Sequence, residues 1–314
     1  MLTGITIVCF SASYAVTLGL EISRLFFRVP VRVPLLRGSM SGDTARMVLM
    51  LLFAAAGLAA HTLYLYNRAT APQLASVPLS NWHDWYLIAA WILAAVYLIF
   101  AVSRLQTSIG LFLQPVVLIL VGVGYSFPQN LALPRKQAQN VWGATHGIML
   151  LLGTVAVSLG FVAGLMYLVQ SYRLKQKLPP RQGFKLPSLE WLQKVNKQSL
   201  VLSSFLIALG MLAGIILNLV KQQGKLPWSD PIVTMSGVLL VWLVAATIFE
   251  WTYKPAQQGR KVAYLTVVSF VILALVMGLL VLGSSEHTRA AGIAPGSNQP
   301  TSEPANQQLP ETHP

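Results

Sequence analysis

Eight apolar stretches, separated by short polar segments, follow one another along the chain. They run approximately from Thr3 to Ile22, Ala45 to Tyr66, Trp85 to Ser103, Ser108 to Phe127, Trp142 to Gln170, Ser199 to Val220, Ile232 to Tyr253 and Val262 to Gly283. A run of about 20 apolar residues is what an α-helix needs to cross the hydrocarbon core of a bilayer. The pattern predicts an all-α fold, a polytopic membrane bundle of about eight transmembrane helices. An even number of spans places both termini on one side.

Composition agrees with this reading. Hydrophobic residues make up 55% of the 314 and charged residues 10%, against about 25% charged in a soluble domain. The net charge of +13 would suggest nucleic acid in a soluble protein, but the basic residues lie between apolar runs, where they set membrane orientation. The polar segments after spans one, three, five and seven hold 16 of the 22 Lys and Arg residues, and the opposite face holds the other six. By the positive-inside rule the first set is cytoplasmic and both termini face outward. The first span lacks a basic n-region and a small-residue cleavage site, which predicts a retained helix in place of a removed signal. Cys9 stands alone in an apolar stretch, so disulfide frameworks, CxxC redox pairs and thiolate metal sites are excluded.

The outward segments are then 67–84, 128–141 and 221–231, followed by the tail from Ser284. Residues 1–288 form one transmembrane domain. Residues 289–314 are mostly Ala, Gly, Pro, Ser, Asn and Gln, a composition expected to be a disordered outer tail.

Little else in the chain carries chemistry. No P-loop, HExxH or GxSxG motif is present. Of five histidines, His146 opens an out-to-in span and His287 follows an in-to-out span, so both lie at one depth on the outer rim. If spans five and eight are neighbours, the two rings can grip a flat metal cofactor from opposite faces. The plainer account makes His146 an interfacial residue and His287 a solvated one. His61 falls about five residues, roughly 8 Å, inside the outer end of span two. An ionisable group at that depth is a functional candidate, or else it bonds to a neighbouring helix. Glu21 and Glu250 lie near cytoplasmic ends and receive no role.

Several segments, in order from about residue 45 to 287, resemble the CcsA-type cytochrome c assembly proteins, a family that also includes CcmC-type and HemX-type proteins. Pro78-Leu79-Ser80-Asn81-Trp82-His83-Asp84, with Trp91 beyond it, is similar to the family's Pro-Leu-Ser-Asp/Asn-x-Tyr-Glu stretch before the third helix. Trp142-x-x-x-His146 matches the segment that carries an outward haem-ligand histidine. Gly210-Met211-Leu212-Ala213-Gly214, with Asn218, resembles the helix leading into the family's tryptophan-rich loop. Trp228-Ser229-Asp230-Pro231 stands in that loop, and His287, after Gly283, takes the place of the second outward histidine. The chain also departs from the pattern. The loop keeps one Trp and the Asp-Pro, His83 and Asp84 replace Tyr and Glu, and Glu250 aligns with a position that often carries His.

The resemblance implies a haem-handling membrane protein of a bacterial plasma (inner) membrane that holds haem b (iron protoporphyrin IX) for attachment to apocytochrome c. His146 and His287 would ligate the iron. Trp142, Trp228, Asp230, His61 and His83 would complete the cofactor-binding set. Trp82 and Trp85 can also pack on the porphyrin, and Arg135, Lys136, Lys221 or Lys225 can pair with its propionates. Asp230 is equally suited to cap the helix that begins at Pro231. Such proteins work with a CcsB/ResB-like membrane partner that has a large outer domain, as the haem-presenting component of a cytochrome c synthase (haem lyase) complex. Besides haem, apocytochrome c and that partner, the surroundings implied are the lipid bilayer, with no nucleic acid. Two alternatives stay open: a HemX-type non-enzymatic regulator of haem biosynthesis, and a small-solute or proton-coupled transporter.

Overall fold

The computed structural model describes residues 6–26, 42–70, 81–103, 107–127, 141–177, 184–221, 231–252 and 260–281. Among them all regular secondary structure is helical. The eight helices are α1 (Ile7–Phe26), α2 (Gly42–Thr70), α3 (Trp82–Ser103), α4 (Gly110–Tyr125), α5 (Val141–Lys175), α6 (Leu189–Lys221), α7 (Pro231–Thr252) and α8 (Arg260–Val281). Every predicted apolar stretch holds one helix. Six of them, α2, α3 and α5 to α8, are long and apolar enough to cross a membrane, fewer than the eight spans expected.

The two others fall short for different reasons. α4 has 16 residues, about 24 Å of helix against a core of about 30 Å. α1 has 20 residues, but Ser11, Ser13, Thr17, Glu21 and Arg24 dilute its apolar character. Its hydroxyls turn back on their own helix, Ser11 to the Ile7 carbonyl at 2.7 Å and Thr17 to the Ser13 carbonyl at 2.9 Å, which removes their demand for water.

α6 begins ten residues before the apolar stretch that predicts it. The segment Leu189–Gln198 reads as basic loop in sequence, yet Ser188 accepts the Trp191 N–H at 3.4 Å as a helix cap. Leu192 is fully buried and Trp191 packs edge-on against Phe100 at 5.2 Å. The lysines of this turn stay outside. One of them, Lys197, reaches 2.9 Å from the buried carboxylate of Glu250 on α7.

The helices form two halves. One core lies mainly among α1 to α4, built on Tyr14, Leu87, Leu93, Tyr97, Leu113 and Val117, and it takes in Val162 and Met166 of α5. α5 to α8 surround a second, with Val157, Leu200, Leu239, Leu243 and Leu273. α5 touches α3 and α4 and joins the halves. The outer surface is apolar: Leu52, Ile99, Val241 and Leu275 are all well exposed, as expected of side chains that face lipid. The structure therefore has two ends, a His146 end and an opposite end rich in Lys and Arg.

Candidate functional site

α5 and α6 cross closely at the His146 end because α6 presents glycines there. Small residues four apart let helix backbones approach in a membrane. A Cβ on Gly210 would meet Leu150 Cδ2 at 2.7 Å, and one on Gly214 would lie 2.6 Å from His146 Nδ1 and 2.8 Å from its Cε1. The imidazole thus occupies the space that an alanine methyl would fill. Its Nδ1 stands 2.7 Å from the Gly210 carbonyl oxygen. A carbonyl only accepts, so Nδ1 carries the proton and Nε2 carries the lone pair. Ligand histidines are commonly held this way, with the second nitrogen donating to a backbone carbonyl.

α3 supplies the neighbouring wall. Asn81 caps it by accepting the His83 N–H at 3.0 Å on its side chain, and Asp84 sits in the first turn, where a negative charge favours the helix dipole. The resulting helix places two consecutive aromatics in different contacts. A Cβ on Gly147 would lie 2.5 Å from the Trp85 ring, so Trp85 packs directly on α5 beside His146. Tyr86 stacks on Phe127 at 5.3 Å and donates its hydroxyl to Met277 Sδ on α8 at 3.4 Å. One end of α3 therefore touches both α5, next to His146, and α8, one turn before its last residue.

α8 packs antiparallel to α5 along this side. The space at Gly160 is lined by Thr266, and that at Gly164 by Thr266 and Ala263. The helices of spans five and eight are thus neighbours, the condition set above for His146 and His287 to face each other. Trp142, one turn before His146, is 42% exposed at the start of α5. His287, Trp228 and Asp230 lie outside the described residues, as do Arg135, Lys136 and Lys225. Pro231 is the first residue of α7.

The remaining predicted histidines are elsewhere. His83 is fully buried and both its ring nitrogens are engaged, Nδ1 donating to the Gly124 carbonyl at 2.8 Å and Nε2 accepting from the Tyr64 hydroxyl at 3.2 Å. With the Arg68–Asp84 ion pair, it ties α2, α3 and α4 together. Substituting His83→Phe strands both partners in an apolar setting, at a cost of about 2 kcal/mol or more. A thermal melt in detergent should fall by several degrees, with any haem spectrum unchanged. His61 lies in the α1–α2 seam, stacked on the Phe10 ring at 4.0 Å, with Tyr14 Oη 3.2 Å from its Nδ1. Tyr64 and the Gly210 carbonyl were not singled out in sequence.

Comparison with known proteins fits this geometry. The model of the cytochrome C assembly protein family matches residues 49–286. The chain belongs to the cytochrome c assembly protein family. It is 24% identical over 234 residues to the cytochrome c biogenesis protein CcsA of Guillardia theta, covering 67% of this chain and 76% of that protein. No solved structure gives a significant match. As a member of this family with several apolar spans, the chain is a multi-pass membrane protein of cytochrome c assembly.

Proposed function

We propose that this protein holds haem b at the outward end of the bundle, with the iron between His146 and His287, for attachment to apocytochrome c. The observation that carries the reading is the Nδ1–H bond of His146 to the Gly210 carbonyl at 2.7 Å. It fixes the ring and makes Nε2 the basic nitrogen, the one an iron centre requires. The residues present fit the group: Gly214 leaves room for the ring, and Trp85 and Trp142 offer broad apolar surfaces near it.

The second ligand rests on topology. α8 runs beside α5 toward the His146 end, and His287 follows six residues after Val281. Trp228 and Asp230 belong to the segment between α6 and α7 at the same end. We assign Trp228 to the porphyrin face and Asp230 to the cap of α7, from which it can also accept from a ligand imidazole. We give His83 a structural role and set His61 apart from this site.

Haem supplies the vinyl groups that receive the apocytochrome thiols, and the protein supplies binding and orientation. The charge asymmetry supports a His146 end that faces outward from a bacterial plasma membrane, with residues 1–288 as the transmembrane domain and 289–314 as an outer tail. A membrane partner with a large outer domain completes the synthase complex. The test is complementation of a deletion strain, with c-type cytochromes detected by covalent haem staining. The native chain should restore them, and an equally abundant His146→Ala protein should not. Normal cytochrome c without the protein, together with altered levels of haem-pathway enzymes, would replace this reading with the regulator suggested by the single Trp of the 221–231 loop.

A further inference from the structure

At the Lys- and Arg-rich end, opposite His146, the bundle leaves a crevice of about 240 Å³ among α3, α4, α5 and α6. Its floor is Ile109 before α4 and Leu113 within it, with Val162, Ala163 and Met166 of α5, none more than 3% exposed. Its rim is Phe100 of α3, Leu159 of α5, and Trp191 and Val195 of α6, all partly exposed. Trp191 packs edge-on against Phe100 at 5.2 Å, so α3 and α6 meet at the rim. Protein interiors are close-packed, and atoms that line a gap lose contacts on one side. In a membrane bundle the acyl chains of the bilayer are at hand to restore them.

Lysines flank the same crevice. Trp191, Lys194 and Val195 stand three and four residues apart on one face of α6. Lys194 is exposed and belongs to no ion pair among the described residues. Lys185, also exposed, accepts the Ser108 N–H on its carbonyl at 2.7 Å, which ties it beside Ile109 of the floor. The Arg173 guanidinium lies over the neighbouring Phe184 ring, 4.9 Å from its centre. Against these cations stands Glu190 in the first turn of α6, while Lys197 is engaged by Glu250. Long basic side chains keep their stems on apolar surface and their charge in the head-group layer. Basic pockets between spans are suited to acidic head groups. A free phosphate would use the lysines and leave the crevice empty, and a neutral lipid would do the reverse. One molecule that carries both an acyl chain and net negative charge uses both.

We propose that this crevice binds one anionic phospholipid from the leaflet at the Lys- and Arg-rich end, an acyl chain lying along Phe100, Leu159 and Val195 and the phosphate between Lys185 and Lys194. Nothing in the site depends on haem at the other end.

Native mass spectrometry of the full-length protein, released from detergent, tests it with phosphatidylglycerol and phosphatidylcholine of identical chains. The native protein should retain one phosphatidylglycerol, with an affinity more than about tenfold above that for phosphatidylcholine. Lys185→Gln and Lys194→Gln should each lower this preference about fivefold. Lys261→Gln removes the same charge from α8, which does not line the crevice, and should leave the preference unchanged. Val195→Trp, which fills the rim, should weaken binding of both lipids. The lysine variants alter exposed side chains and decide the matter if Val195→Trp fails to fold. Equal binding of the two lipids by the native protein, the same loss in Lys261→Gln as in Lys194→Gln, or unchanged binding in folded Val195→Trp would overturn the site.

Discussion

Alanine at position 214 is expected to strip this protein of most of its haem while every proposed iron ligand stays in place. The new methyl would sit 2.6 Å from His146 Nδ1 and 2.8 Å from Cε1, closer than unbonded atoms tolerate. Either α5 and α6 separate or the imidazole turns away. The tight crossing resists separation, because Leu150 already fills the space at Gly210 and Ile207 the space at Gly153. Turning the ring breaks its bond to the Gly210 carbonyl, and loss of such an orienting partner typically weakens a metal site about 10- to 100-fold. Haem titration of the purified variant measures this. Wild-type affinity in Gly214→Ala would mean that the fixed orientation of His146 does not matter.

Removing a ligand should cost more than misaligning one. His146→Ala and His287→Ala are each expected to lower haem affinity more than about 100-fold, beyond the range of an orienting partner. Trp228→Ala and Asp230→Asn, which alter the proposed cofactor face and the ligand's proposed partner, should stay within that range. The order matters as much as the size. If Trp228→Ala exceeded both histidine variants, the haem would be held by its face and not by its iron.

Much of this was legible in the sequence. Each apolar run became a helix, because a membrane leaves a long apolar segment few other ways to satisfy its backbone. The two helices that fall outside the set of six show the limit of that rule. Pattern alone does not reveal that α4 is short, or that the polar residues of α1 bond to their own helix and face a buried seam. The start of α6 at Leu189 was hidden by its lysines, since a charged turn with one buried face reads as loop. His146 was legible from Trp142-x-x-x-His146, but its hydrogen-bond partner was not, because a backbone carbonyl carries no signature in a sequence. His83 shows the opposite case. Its place in a family motif suggested the cofactor, whereas in the fold its two ring nitrogens join three helices.

The absorption spectrum of the purified, full-length protein, recorded beside His146→Ala and His287→Ala, tests the central claim most directly. The account predicts a low-spin, bis-histidine haem spectrum in the native protein and a lost or altered one in each variant. No haem in the native protein, or the same spectrum in all three, would contradict it.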